Sequence, residues 1–217
     1  IVVLSQRGYP YFILGEVPEW RRDPEELDEK MFRKYALELK KRRRSYRKEI
    51  GLENGFYIRH RRTWLLMMTD PSFVLDIDKR ERVLDMRKAP IKVLDYEVSL
   101  KQDGSKKREG AHKLRVSVRL SREYYREQKA YFESVAVHRK AETIGSEFWR
   151  VSSYHVKYKP IYRQFRAILN SVNAMRQKAG FERVPYKHIR WYHKSPKHFG
   201  FGDTGAVIDM MRQDAGA

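Results

Sequence analysis

Residues 56–69 read FYIRHRRTWLLMMT, and this stretch decides the fold class. β-Branched and aromatic residues, which favour β-strands, dominate the stretch. Turn-forming pairs flank it, with Asn54-Gly55 before it and Asp70-Pro71 after it. Side chains alternate between the two faces of a strand, so one face is predicted to hold Phe56, Ile58, His60, Arg62, Trp64, Leu66 and Met68. The spacing predicts one long strand, apolar at one end and basic at the other on both faces.

A helix is predicted upstream of this strand. Asp23 can cap it, Pro24 suits the first helical position, and Glu26 lies where a capping box needs an acidic side chain. An apolar stripe follows at three- and four-residue steps, formed by Leu27, Met31, Phe32, Tyr35 and Leu39. Beyond Leu39 the stripe ends, and cations occupy nearly every direction around the helix. The pattern predicts one continuous helix whose basic end leaves the core.

The remaining elements complete an α+β order. Short apolar runs predict one or two strands over 1–5 and 11–17 and another at 73–77. Residues 91–100 and 112–120 predict a hairpin with Leu114, Val116, Val118 and Leu120 facing the core. Helices are predicted at about 121–138, with Ser121 as its cap, at 141–150 and at 160–180. Strands and helices do not alternate regularly, so we expect a small antiparallel sheet with packed helices and a helical C-terminal part. The predicted division is an α+β domain over 1–138 and a helical part over 139–217.

Composition restricts the class of protein. Among 217 residues, 47 Lys and Arg oppose 28 Asp and Glu, which gives a formal net charge of +19, while a hydrophobic content of 41% is enough for a folded core. The absence of cysteine excludes disulfide scaffolds and thiolate sites. The longest apolar run, from Trp64 to Met68, is far short of the ~20 residues that cross a bilayer. These features predict an intracellular protein, cytoplasmic or nucleoid-associated, with a polyanionic partner and no membrane.

Cations interleaved with aromatic residues predict where that partner binds. Phosphates attract Lys and Arg at any sequence, and unstacked bases can lie on aromatic rings, so such runs suit DNA or RNA. A single run would also fit a solvated surface with its aromatics in the core, but several runs with this net charge favour nucleic-acid binding. The candidate binding residues are Lys40, Lys41, Arg42, Arg43, Arg44, Arg47, Lys48, Arg59, His60, Arg61, Arg62, Trp64, Lys113, Arg115, Arg119, Lys187, Arg190, Trp191, Tyr192 and Lys194.

The sequence offers little for catalysis. None of the seven histidines has a partner at metal-ligand spacing. Asp76, Asp78 and Asp85 could hold a divalent ion for phosphodiester cleavage, but carboxylates near cations are more often surface salt bridges. We predict no cofactor, no metal and no catalytic residue.

The predicted order of elements begins with Arg-Gly-Tyr-Pro-Tyr-Phe at residues 7–12 and continues with a helix, a strand with a hydrophobic triplet and a later helix that bears tyrosines. This order resembles in outline the single-tyrosine HUH transposases and their REP-associated relatives. In that family a His-hydrophobic-His strand holds a metal at the scissile phosphate and a helix tyrosine attacks it. Alignment of the triplet on Leu65-Leu66-Met67 puts Arg62 and Trp64 at the histidine positions. His60 lies two residues early, and Tyr124, Tyr125 and Tyr131 would be the tyrosine candidates.

Three functions follow from these observations. The first is a non-catalytic nucleic-acid-binding protein, a subunit of a larger nucleoprotein or mobile-element machine with other protein subunits as partners. The alternatives are a metal-dependent DNA strand-transferase or nuclease of the HUH type, using His60 and one helix tyrosine, and a ribosome-associated RNA-binding protein. The chain also resembles basic bacterial proteins of unknown role around residues 23–35, 87–96 and 163–183, a likeness that implies no activity. DNA and RNA remain equally open.

Overall fold

A computed structural model describes residues 1–20, 23–102 and 114–190. The predicted α+β class is confirmed, with helices and two small antiparallel sheets. The described chain forms two compact units, residues 1–89 and residues 90–190. The sequence-based boundary after residue 138 falls inside the second unit. No helix in the described ranges has both the length and the apolar character needed to span a bilayer.

The first unit is built around a four-stranded antiparallel sheet. Its strands are β1 (Tyr11–Glu16), β2 (Gly55–His60), β3 (Thr63–Met68) and β4 (Leu84–Asp85), in the order β2-β3-β1-β4. Its helices are α1 (Val2–Gln6), α2 (Glu25–Lys34), α3 (Lys41–Glu49) and α4 (Ser72–Leu75). The strands predicted at 1–5 and 73–77 are therefore wrong, since both runs are short helices. An apolar run of four or five residues does not distinguish a strand from a buried helical turn by its periodicity.

The long strand predicted over 56–69 is instead the hairpin β2-β3. Arg61 has a φ of 54°, in the left-handed region, and the chain reverses over Arg61 and Arg62 so that His60 pairs with Thr63. This turn lacks the Asn or Gly that tight hairpin turns favour. The reversal also regroups the faces, because cross-strand partners share a face. His60 thus shares a face with Thr63 and Leu65, and not with Trp64 as the sequence predicted.

The continuous helix predicted from Asp23 into the basic run is also wrong. α2 ends at Lys34, Ala36 has a φ of 47°, and α3 begins at Lys41 after an extended Lys40. Tyr35 and Leu37 are both buried although they are only two residues apart, which a straight helix cannot achieve on one face. The helix ends before Tyr35 because both side chains can then reach the core. The basic residues consequently form a short helix of their own.

One part of the core of the first unit lies between α2 and one face of its sheet, and the opposite face is buried as well through Phe12, Leu65 and Met67. Ile13, Leu66 and Met68 of the sheet pack with residues of α2 and of the segment that follows it. The buried cluster consists of Ile13, Met31, Tyr35, Leu37, Leu66, Met68 and Val74. Leu37 supplies the contact that the sequence assigned to Leu39.

The second unit combines a three-stranded sheet with three long helices. Its strands are β5 (Ile91–Val93), β6 (Tyr96–Gln102) and β7 (Leu114–Leu120), and its helices are α5 (Arg122–Val135), α6 (Ala141–Tyr154) and α7 (Lys159–Lys178), followed by a 3₁₀ turn at Tyr186–His188. The single predicted arm 91–100 is two strands, because Leu94 turns the chain at a φ of 52°. The Ser121 cap is confirmed, since its Oγ accepts the Tyr124 N–H at 3.2 Å. The predicted helix 160–180 is confirmed as α7.

One buried cation helps to hold the second unit together. Arg176 of α7 is 2% exposed and donates to the carbonyls of Ala136, Arg139 and Glu182. These acceptors lie beyond the end of α5 and beyond the end of α7, so the guanidinium satisfies backbone groups that a helix end leaves without partners. It is a structural cation and does not contribute to a binding surface.

Candidate nucleic-acid interface

The basic helix α3 is attached to the first unit through part of its own positive charge. The Arg47 guanidinium donates to the Glu53 carbonyl at 2.9 and 3.1 Å, and Lys48 Nζ donates to the Arg7 carbonyl at 2.7 Å. The Arg44 guanidinium lies 5.0 Å from the centroid of the Phe56 ring. These three side chains, which the sequence placed in the interface, therefore also fix the helix on the unit.

The other cations of α3 have a different environment. Lys41, Arg42 and Arg43 are exposed, and none of the cations from Lys40 to Lys48 pairs with a carboxylate within the described ranges. Eight cations elsewhere do form such pairs: Arg33, Lys34, Arg59, Arg87, Lys92, Arg119, Lys129 and Arg139. The first turn of α3 thus presents three neighbouring positive charges without carboxylate partners in the described ranges.

These three exposed cations occupy the first turn of α3. Lys40 at the N-cap makes no side-chain capping bond, and the first turn holds no acidic residue. The N-terminus of a helix carries partial positive charge and free N–H groups, so cations there are unfavourable and an anion is favourable. A bound phosphate would offset the repulsion between these cations and the helix N-terminus, and for this reason we place the candidate interface here.

Two further residues of this surface were missed from the sequence. Tyr46 is 60% exposed, one turn after Arg42 and Arg43. Arg7 is exposed near α3, to which the Lys48 contact joins it. Burial raises the pKa of the nearby Tyr9 phenol, and the charges of Arg44 and Arg7 oppose that rise. The periodicity of a short helix could have suggested Tyr46, whereas the position of Arg7 depends on a contact across the fold.

Three candidates on the β2-β3 hairpin have structural partners. The Arg59 guanidinium binds Asp28 of α2 at 2.8 Å, a contact that raises its pKa, and Arg62 donates to the Pro18 carbonyl at 2.7 Å. Trp64 stacks on Tyr57 and lies over Gly15, where a Cβ would come within 2.4 Å of the indole. His60 and Arg61 remain exposed at the turn.

The candidates of the second unit are scattered. Arg119 pairs with the buried Glu97 at 2.8 Å, and Arg115 is exposed on the same strand. Lys187 is exposed in the 3₁₀ turn, and the Arg190 guanidinium lies 4.9 Å from the Trp149 ring centroid. Lys113, Trp191, Tyr192 and Lys194 lie outside the described residues. The described candidates of this unit therefore lie on two elements, β7 and the segment of the 3₁₀ turn.

The residues considered for metal-dependent chemistry do not converge. Over the described part of the chain, no three His, Asp or Glu side chains come together as a metal site requires. Asp78 pairs with Lys34, and Asp85 with Arg87, each at 2.8 Å. These two carboxylates are therefore engaged in salt bridges.

One buried cluster was not foreseen. The His155 ring lies between two phenols, with Nε2 3.0 Å from the Tyr124 oxygen and Nδ1 2.9 Å from the Tyr96 oxygen. Burial lowers the pKa of His155 and raises the pKa of Tyr124 and of Tyr96. A helix tyrosine thus has an imidazole beside it, which no sequence spacing indicated because the residues come from separate elements.

Comparison of the chain with family models, with curated proteins and with solved structures finds no match.

Proposed function

We propose that the protein is a non-catalytic nucleic-acid-binding protein that contacts phosphates through the first turn of α3. The observation that carries this proposal is the placement of Lys41, Arg42 and Arg43, exposed and without carboxylate partners in the described ranges, at a helix N-terminus without a side-chain cap. Cations in such a position favour an anion, and a net charge of +19 favours a long polyanion over a single small one. DNA and RNA both satisfy this chemistry.

The biological setting proposed is a larger intracellular nucleoprotein assembly. A subunit of a mobile-element machine and a ribosome-associated protein both present basic surfaces to phosphates, so both settings stay within the proposal. The exposed ring of Tyr46 adds an aromatic surface next to the cations, and such surfaces can stack on unpaired bases.

A strand-transferase or nuclease is the second candidate, and one contact favours it. The Tyr124 hydroxyl lies 3.0 Å from His155 Nε2, a distance at which an imidazole can accept the proton of a nucleophile. Burial works against this use, because it raises the pKa of the phenol. The non-catalytic reading is therefore preferred.

The test is the triple variant Lys41→Gln, Arg42→Gln, Arg43→Gln, the α3 variant. Affinity for a single-stranded and a duplex oligonucleotide is measured over a range of salt concentrations. The slope of log Kobs against log salt should become less negative by about 2.7 for duplex DNA or about 2.1 for a single strand, if each cation contacts one phosphate. Affinity should fall for all sequences alike.

The matched control is Arg33→Gln, Lys92→Gln, Lys129→Gln, which removes the same charge from exposed side chains that have carboxylate partners. Circular dichroism verifies that both variants are folded. Equal salt slopes for the α3 variant and this control, or a wild-type slope near zero for every nucleic acid, would rule out the proposed α3 surface.

A further inference from the structure

Helix α7 carries a second row of cations, on the side opposite its buried stripe. Lys159, Arg163 and Arg166 are spaced by four and three residues, so they lie on one face, and all three are exposed. The opposite face is buried through Ile161, Phe165, Ile168, Leu169 and Val172. We call Lys159, Arg163 and Arg166 the α7 row. None of them was singled out from the sequence, because the apolar stripe alone explained this helix.

The α7 row has no neutralising acid on its own helix. The 20 residues of α7 contain no Asp or Glu, and no member of the row forms an ion pair within the described ranges. Like charges three and four residues apart repel each other on a helix surface. Lys159 also lies in the first turn of α7, where a cation opposes the helix dipole. The row is therefore an unfavourable arrangement that an external anion would stabilise.

Neighbouring side chains position one end of the row. The Tyr186 hydroxyl donates to Asn170 Oδ1 at 2.6 Å, and the Arg166 guanidinium lies 5.5 Å from the centroid of the same tyrosine ring. The ring thereby orients Arg166 along the exposed face. Asn170 and Gln177 continue that face with amide groups, which can also donate to phosphate oxygens.

We propose that the α7 row is a second phosphate-binding surface, located on the second unit and separate from α3. The inference rests on the proposed nucleic-acid binding and assigns a further site to it. From Lys159 to Arg166 the helix rises roughly 10 Å at 1.5 Å per residue, a length that corresponds to about three nucleotide steps of 3.4 Å. The ligand is a sugar-phosphate backbone, contacted without reading of the bases. Each unit then supplies one basic helix.

The experiment compares four proteins: the wild type, the α3 variant, the control Arg33→Gln, Lys92→Gln, Lys129→Gln, and the triple variant Lys159→Gln, Arg163→Gln, Arg166→Gln, which we call the α7 variant. Salt-dependent affinity is measured for the same single-stranded and duplex oligonucleotides. Relative to the control, the α7 variant should make the salt slope less negative by about 2.1 for a single strand or about 2.7 for duplex DNA. Its melting temperature should equal or exceed that of the wild type, because the substitutions remove like-charge repulsion.

The outcomes separate this inference from the proposed function. If the α7 variant coincides with the control while the α3 variant binds more weakly, the α7 site is overturned and binding through α3 stands. If the α7 variant loses affinity and the α3 variant coincides with the control, the α7 site is supported and the α3 surface is wrong. A loss of affinity accompanied by a lower melting temperature in the α7 variant would overturn the site, because the row would then be structural.

Discussion

At the scale of single residues, His155 shows how the fold gives a polar side chain a role that its sequence position does not indicate. It is 7% exposed and contacts two phenols, and its ring lies 5.4 Å from that of Phe165. Both of its nitrogens keep hydrogen-bond partners if the ring is protonated, because a phenolic oxygen can accept as well as donate. What protonation costs is the burial of a charge. Asp95 favours that charge and Lys157 opposes it.

The stability of the protein should consequently depend on pH through this residue. Since burial lowers the pKa of His155 below 6.5, the unfolded chain binds a proton at a higher pH than the folded chain. The contribution of His155 to the free energy of unfolding is fully present above pH 6.5. It declines as the pH falls toward the pKa of His155 in the folded chain, by at most about 1.4 kcal/mol per pH unit. The measurement is the free energy of unfolding from pH 8 to 5, by denaturant titration. The variant His155→Gln should show a flatter profile, and identical profiles would contradict the prediction.

At the scale of elements, the break between α2 and α3 decides how the basic residues are presented. Ala36 adopts a φ of 47°, a conformation that costs a residue with a Cβ roughly 1–2 kcal/mol. Ala36→Gly should remove that strain and leave the free energy of unfolding unchanged or raise it by up to about 1 kcal/mol, after the entropic cost of glycine. Thermal or denaturant unfolding measures the change.

The matched control is Ala130→Gly, in the exposed middle of α5, which should lose about 1 kcal/mol. If Ala36→Gly destabilised the protein as much as this control, α2 and α3 would be one continuous helix, as the sequence pattern predicts.

The same elements show what a sequence can and cannot indicate. The Ser121 cap and the stripe of α7 were predictable because the signals are local. The cap needs a side-chain oxygen two or three residues before the backbone N–H that donates to it, and the stripe is an apolar repeat at the helical period. The turn at Arg61 was not, because no Gly or Asn marks it and the pairing of β1 with β3 helps to set the register. For the candidate site, the basic run identified α3, but the partners that divide its cations into anchoring and exposed groups come from distant segments.

At the scale of the whole molecule, the cations fall into those that pair with a carboxylate and those that do not. Carboxylates pair with Arg33 and Lys34 of α2, Arg59 of β2, Arg119 of β7 and Lys129 of α5, whereas the exposed cations of α3 and α7 have no such partner in the described ranges. Compensated pairs on a surface contribute little net potential, so the exposed cations of α3 and of α7 each present a positive surface to a polyanion. This distribution favours binding through phosphates and gives no reason to expect recognition of individual bases.

The non-catalytic reading makes a final prediction for the intact chain. Incubation with single-stranded DNA and manganese should give no denaturant-resistant protein–DNA adduct. Among the tyrosines Tyr124, Tyr125 and Tyr131, Tyr124 is the candidate nucleophile with an imidazole at hydrogen-bond distance, and burial raises the pKa of its phenol. In the described ranges, no three His, Asp or Glu side chains come together to hold a metal that would withdraw charge from a phosphate. Tyr124→Phe should retain the wild-type affinity for DNA and RNA, with Tyr125→Phe as the matched control from the same helix. An adduct that forms with the wild type and Tyr125→Phe but is lost in Tyr124→Phe would identify Tyr124 as a nucleophile and establish the strand-transferase alternative.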